Sequence, residues 1–327
     1  MADTTLAIPQ EITDLPNAER QSITLFNSNV IDGTDGNDII ATTAQDDMVN
    51  ALAGNDIIIG SKGNDRIIGG QGKDTVNYSA LGGPVRLGAA GKVFKGKDGA
   101  FGTDQLFGIE TIVGSKGAGD TIDGSTATSG TVPINVDLSK QTLSVIGVPG
   151  LGTLNFTVKN FEDVIGTGAN DIITGDIKNN KLNGGDGNDI LTGTIGSFAG
   201  STEVDTLTGG AGNDTFVLGS GDTLFYSGNG DADFAKITDF GNGADQIFLA
   251  NGNYATNDDI TKLFAIKADG SLDLIAKIAY AQGSSSTSQR QASDFALSNA
   301  TVNPLLANTT FSLSQGQSFG IFTAGVA

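Results

Sequence analysis

The sequence predicts an all-β fold, a parallel β-roll or β-solenoid finished by a C-terminal β cap. Three observations carry that prediction. Asp38, Asp47, Asp56, Asp65 and Asp74 stand nine residues apart, and each is followed two residues later by an aliphatic side chain: Ile40, Val49, Ile58, Ile67 and Val76. The pattern returns at Asp171, Asn180, Asp189, Asp205 and Asp214, with Ile173, Leu182, Leu191, Leu207 and Phe216 two residues on. Turn formers precede these positions, as in Gly54-Asn55-Asp56, and 48 of the 327 residues are glycine. A chain that doubles back so often needs positive φ and close backbone approach, which glycine supplies. Each nonapeptide thus reads as a six-residue turn plus a three-residue strand, and two of them make one eighteen-residue coil.

In chain order, residues 1–30 form a leader with Pro9 and Pro16 and a candidate strand at Ile23 to Phe26. Residues 31–80 are the first repeat block, in which strand alternation turns one side chain per half-coil inward. Its weak member is Thr42-Thr43-Ala44-Gln45-Asp46-Asp47, which has no glycine. Residues 81–165 carry an internal duplication: Phe107 to Ser115 matches Lys159 to Thr167 at an offset of 52. Apolar runs precede both copies, Pro84 to Leu87 and Ile134 to Leu138, and a repeat-like turn follows each, at Asp120 and Asp171. Residues 166–218 are the second block, interrupted by a seven-residue insertion, Gly193 to Ala199, and the roll is expected to widen or end at the bulkier Phe216. Residues 219–282 read as the cap that a solenoid needs over its last apolar coil, with antiparallel strands and a helix around Asp258 to Phe264. Residues 283–327 are a Ser-rich linker and a tail without a charged side chain from Phe295 onward.

Stacked coils lie about 4.8 Å apart, the spacing of paired strands. Carboxylates in one column would repel at that distance unless a cation lies between them. Ca²⁺ fits such a place, taking about six to eight oxygens from carboxylates and carbonyls. The acidity follows the repeats: Gly33 to Asn77 has seven acids against three bases, whereas Leu81 to Asn160 has six against seven.

Gly184-Gly185-Asp186-Gly187-Asn188-Asp189-Ile190-Leu191-Thr192 is the clearest copy, and Gly209-Gly210-Ala211-Gly212-Asn213-Asp214 opens another. This nonapeptide resembles the repeat of RTX (hemolysin-type) calcium-binding proteins, secreted bacterial proteins with an uncleaved C-terminal export signal. The resemblance implies Ca²⁺ between turns eighteen residues apart, held by position-six side chains and by carbonyls of earlier turn residues. The side chains are those of Asp38, Asp47, Asp56, Asp65, Asp74, Asp120, Asp171, Asn180, Asp189, Asp205 and Asp214. The carbonyls are those of Gly33, Asp35, Gly60, Lys62, Gly69, Gln71, Gly166, Gly168, Gly184, Asp186, Gly209 and Ala211. Calcium touching the glycine-free turn at Asp47 is expected to be weak or absent. The resemblance also implies that residues 81–165 are longer coils of the same parallel solenoid, and that the uncharged tail is read by a type I exporter.

The chain has no cysteine, histidine or tryptophan and a formal net charge of −19. Absence of histidine removes histidine-dependent zinc-protease and hydrolase chemistry. Nucleic acid and anionic membranes suit so acidic a field poorly, and no stretch has the apolar length of a membrane span. The N-terminus lacks the basic region and apolar core of a cleavable signal peptide. The expectation is therefore a secreted, extracellular or cell-surface calcium-binding protein, not an enzyme, that folds on Ca²⁺ and serves a structural or interaction role at the surface or matrix. The alternatives are a carboxylate-based enzyme acting on polysaccharide, or a module binding glycan, mineral or ice. Finally, Ile39, Ile57 and Ile59 should point outward on one sheet and be covered by leader, tail or a second molecule, while Arg66 and Asn50 face water on the other.

Overall fold

The computed structural model of the chain describes residues 29–117, 119–127, 132–196, 200–257, 259–281, 295–297 and 319–323. The candidate strand at Ile23 to Phe26, with most of the leader and tail, lies outside these residues. The chain divides into two compact units, Met1–Thr121 with Phe156–Phe161, and Ile122–Asn155 with Glu162–Ala327.

The first unit is built on short strands alternating between two sheets: β1 (Asn29–Asp32), β2 (Ile39–Ala41), β3 (Asp47–Asn50), β4 (Ile57–Ile59), β5 (Arg66–Ile68) and β6 (Thr75–Asn77). Parallel pairing sets Ile40 beside Ile58 and Val76 on one sheet, and Val49 beside Ile67 on the other, a step of eighteen residues each time. Those five side chains are the core, and none is more than 7% exposed. Strand, register and inward residue therefore follow the nonapeptide.

Beyond β6 the expected parallel coils are replaced in part by hairpins. β7 (Val85–Gly88), β8 (Lys92–Lys95) and β9 (Gly102–Phe107) pair antiparallel, so that only β9 rejoins β5 in parallel. β10 (Thr111–Val113) stacks in parallel on β6, and residues Thr157 to Lys159 stack on β10. The physical reason lies in the tight turns of Gly91, Gly96 and Gly99, each at positive φ, which fold the extra residues back as hairpin strands.

The second unit holds β11 (Thr121–Asp123), β12 (Ile134–Asp137), β13 (Thr142–Val148), β14 (Gly152–Lys159, in part), β15 (Asp163–Ile165), β16 (Ile172–Thr174), β17 (Lys181–Asp186), β18 (Ile190–Thr192), β19 (Val204–Ala211) and β20 (Thr215–Val217). Again one strand pair of the longer coil, β12 with β13, is antiparallel. β16, β18 and β20 stack in parallel, as do β15, β17 and β19. Lys181 pairs with Thr206, a step of 25 residues that absorbs the insertion without disturbing the register.

The roll does not end at Phe216. After the small hairpin β21 (Gly219–Ser220) and β22 (Thr223–Leu224), a further parallel coil forms from β23 (Phe234–Phe240) on β19 and β24 (Gln246–Leu249) on β20. Phe216, where the roll was expected to widen or end, is fully buried with its ring centroid 6.0 Å from that of Phe240 in this coil. The cap then follows as antiparallel β25 (Asn253–Asn257), β26 (Lys262–Ile266) and β27 (Leu272–Tyr280). The helix expected around Asp258 to Phe264 is not formed among the described residues 259–264, because Leu263 and Ala265 alternate inward as strand residues of β26. Two tail segments join this unit, β28 (Phe295–Leu297) beside β24 and β29 (Phe319–Thr323) antiparallel to β25.

One outer face of the first unit meets expectation, its isoleucines pointing outward, and the leader and tail expected to cover them lie mostly outside the described residues. Ile39, Ile57 and Ile59 are 75%, 40% and 37% exposed. Arg66 and Asn50, expected to face water, are instead 7% and 1% exposed. Met48 and Ile68 form an apolar cluster with Val30 and Phe107 on this same face, and the Arg66 guanidinium lies 4.0 Å from the Phe107 ring centroid. An arginine can be buried here because its flat cation stacks on an aromatic face.

Candidate metal centre

Position-six carboxylates stack in columns at the turns. In the first unit, Oδ1 of Asp56 accepts from the backbone N–H of Asp38 at 2.8 Å, and Oδ1 of Asp74 accepts from that of Asp56 at 2.8 Å. On the other edge Asp65 accepts from Asp47 N–H at 3.0 Å, and Asp104 accepts from Asp65 N–H at 3.0 Å. The second unit repeats the device, with Asp171 N–H to Asp189 at 2.8 Å and Asp189 N–H to Asp214 at 2.9 Å. Position-five side chains run a ladder in the opposite sense: Asn37 accepts from Asn55 N–H and Asn170 from Asn188 N–H, both at 2.8 Å. The Gly-Asn-Asp triplet thus satisfies consecutive turn amides with consecutive side chains.

Each carboxylate has a second oxygen, and its surroundings differ from turn to turn. Oδ2 of Asp56, Asp189 and Asp214 is buried without a hydrogen-bond partner. Oδ2 of Asp38, Asp47 and Asp171 is held by the N–H and hydroxyl of Thr34, Thr43 and Thr167, four residues upstream. Both oxygens of Asp120 accept from Ser115 Oγ at 3.0 Å. Oδ2 of Asp205 accepts from the Tyr226 hydroxyl at 2.5 Å. Asn180 is used internally, its Oδ1 accepting from Asp176 N–H and its Nδ2 donating to the Glu162 carbonyl, both at 2.8 Å.

The orphaned oxygens border small spaces lined by carbonyls. A Cβ on Gly184 would stand 2.1 Å from Asp189 Oδ2 and 2.6 Å from the Gly209 carbonyl oxygen. One on Gly166 would stand 2.0 Å from the Gly184 carbonyl oxygen and 2.5 Å from Asp171 Oδ2. Glycine at the first repeat position therefore keeps a cradle of carboxylate and carbonyl oxygens free of side chain. Gly187 serves the turn differently, at φ +119°, where an L side chain is strained.

Burial pushes Asp189 up to about 7, and the charges of Asp171, Asp214 and Asp186 add to the rise against the hydrogen bond from Asp171 N–H. Burial likewise pushes Asp214 up to about 6. A carboxylate so placed gains from a cation that restores its charge balance. Among the described residues no three acidic side chains converge on one point, so an ion here takes one carboxylate from each turn and completes its shell with carbonyls. That donor set suits a hard cation such as Ca²⁺. Asp189, Asp214 and the carbonyls of Gly184 and Gly209 would hold it in the second unit, and Asp56 and Asp74 in the first. The ion would supply the positive charge that these stacked turns lack.

The remaining expected residues fall at other places in the turns. Asp35, Lys62, Gln71 and Gly168 are exposed in the turns, and Asp186 and Ala211 are exposed at the ends of β17 and β19. Gly60 lies beneath the Tyr78 ring, and Gly33 and Gly69 face Asp38 and Asp74 as Gly184 faces Asp189. Three column members lay outside the sequence expectation. Glu110 accepts from Asp74 N–H at 2.8 Å, Asp245 accepts from Asp214 N–H at 2.9 Å, and Asp104 continues the Asp47–Asp65 column. The signal for Asp104 was present: Gly99-Ala100-Phe101-Gly102-Thr103-Asp104-Gln105-Leu106-Phe107 keeps the nonapeptide spacing.

Comparison with known proteins gives the same pattern. The family model of the RTX calcium-binding nonapeptide repeat matches four stretches, residues 26–58, 50–80, 165–197 and 198–234. No curated protein matches the chain. Among solved structures, an extracellular lipase, LipA, from Serratia marcescens is similar at 19% identity and a TM-score of 0.25, over 83% of this chain. The match spans 40% of the length of that lipase. The four repeat matches fall on the stacked turns described above: the chain carries RTX calcium-binding nonapeptide repeats, a motif that binds Ca²⁺.

Proposed function

We propose that the protein is secreted and folds on meeting Ca²⁺ outside the cell, then serves as a structural or interaction element of the cell surface or matrix. The observation that carries this reading is the set of buried, unpartnered carboxylate oxygens at Asp56, Asp189 and Asp214. Without a cation these groups oppose folding, since an unpaired buried charge is costly. Binding free energy therefore becomes folding free energy. Extracellular calcium modules work at roughly 10⁻⁴–10⁻³ M, above the free calcium of a cell interior. A chain unfolded inside and folded outside is the form a narrow type I exporter passes, and the uncharged tail from Phe295 is the segment such an exporter would read.

Catalysis has no part in this reading. The chain has no histidine or cysteine. Glu203 and Asp205, a facing carboxylate pair among the described residues, are 5% and 0% exposed, closed to a polymeric substrate. The test is circular dichroism of the full chain. With chelator the β signal should be largely lost; millimolar Ca²⁺ should restore it and Mg²⁺ should not, because Mg²⁺ demands a tighter octahedron. Equal β content in chelator and calcium would overturn the reading.

A further inference from the structure

The column Asp47–Asp65–Asp104 contains a cation of the protein's own. Lys95, on β8, has a side chain 0% exposed, and its Nζ lies 3.0 Å from Asp65 Oδ2 and in contact with Asp104 Oδ1. These are position-six carboxylates of two stacked turns, since Arg66 pairs with Gln105 and Gly63 N–H donates to the Phe101 carbonyl. The ammonium thus lies between the groups that the sequence pattern assigns to a calcium ion. Asp104 Oδ2 is taken as well, by the Tyr78 hydroxyl at 2.7 Å. The Tyr78 ring is 0% exposed and lies over Gly60, where a Cβ would meet it at 2.3 Å. The space that Gly184 keeps open in the second unit is therefore filled with a side chain here.

Among the described residues, Asp65 and Asp104 are the carboxylates that pair with Lys95. Its four-carbon stem must reach inward from a hairpin strand, and a buried ammonium is tolerated only when paired. Two carboxylates and one ammonium leave a deficit of one positive charge, which the Tyr78 hydroxyl and the Asp65 N–H soften by donating to Asp104. At Asp56, Asp189 and Asp214 no side chain plays this part.

We propose that the slot between Asp65 and Asp104 is a metal position filled permanently by the Lys95 ammonium, so that this edge closes without calcium. The inference rests on the reading that the other columns take Ca²⁺. It assigns Asp65, Gly60 and Lys62 to a lysine-filled slot in place of a calcium site.

The test is calcium stoichiometry and calcium-driven folding of the full chain. Lys95→Ala removes the cation and opens the slot; it should bind one more Ca²⁺ at saturation than the wild type, or fold only at a calcium midpoint raised about tenfold or more. Unchanged stoichiometry together with an unchanged midpoint would overturn the proposal. Should Lys95→Ala fail to fold at any calcium concentration, Lys95→Met decides in two backgrounds. Met in place of Lys95 should be damaging alone and tolerated beside Asp65→Asn and Asp104→Asn, since no carboxylate then needs a counter-charge. Equal damage in both backgrounds would show that Lys95 acts by packing and would likewise overturn it. A wild type indifferent to calcium would instead sink the functional reading itself, so the two failures are distinct.

Discussion

A carboxylate in these turns has two oxygens with separate tasks, and the second task separates one turn from the next. Oδ1 satisfies a backbone N–H of the neighbouring coil and would do so as an asparagine oxygen. Oδ2 is where charge matters. At Asp56 it is buried without a partner, whereas at Asp47 the Thr43 N–H and hydroxyl hold it at 2.6 and 2.9 Å. Asp56→Asn should therefore raise the calcium midpoint of folding about tenfold, a loss of the size expected for one charged ligand oxygen, and Asp47→Asn distinctly less. Titration calorimetry of the two variants checks this; equal losses, or the reverse order, would contradict it. Sequence singled out the turn of Asp47 for its missing glycine, whereas the structure groups it with Asp38 and Asp171 by the threonine four residues upstream, whose N–H and hydroxyl hold Oδ2 in all three.

At the scale of strands, three residues can bury one side chain, and stacking repeats that burial along the sheet. Leu207 is fully buried on β19, while Ile57, one residue off the inward position of β4, is 40% exposed. Leu207→Ala should cost about 2–5 kcal/mol. Ile57→Ala should stay within about 0.5 kcal/mol. Urea unfolding in saturating calcium measures both, and comparable losses would mean that the strand faces are misassigned. Inward positions were legible because period two within each strand and period nine between strands agree. The hairpins of residues 81–165 were not legible. Once the nonapeptide stops, Val85-Arg86-Leu87 and Lys92-Val93-Phe94 alternate equally well for parallel or antiparallel partners. Direction is then set by turn length and by positive-φ glycines. Lys95 was hidden for the same reason, because a residue of the hairpin enters a column to which its own sequence neighbourhood gives no clue.

For the whole molecule, the net charge of −19 and the buried carboxylates set a pH dependence whose sign depends on calcium. Asp189 is raised to about 7 and Asp214 to about 6, burial being the first cause of each. In an unfolded chain both would titrate near 4. Without calcium, the folded form therefore takes up protons that the unfolded form does not. Its stability from these groups is fully present below about pH 4 and is lost as pH rises through about 6 to 7. Metal-free protein should accordingly gain β structure as pH falls from 8 toward 5. With calcium the sign reverses, because protons compete with the ion for the same oxygens, and the calcium midpoint should rise over that interval. Crossed dependences in one circular-dichroism series distinguish site-bound calcium from general screening of the negative surface. Screening alone would make acid and calcium act in the same direction, each relieving repulsion among exposed carboxylates, with no rise in the calcium midpoint.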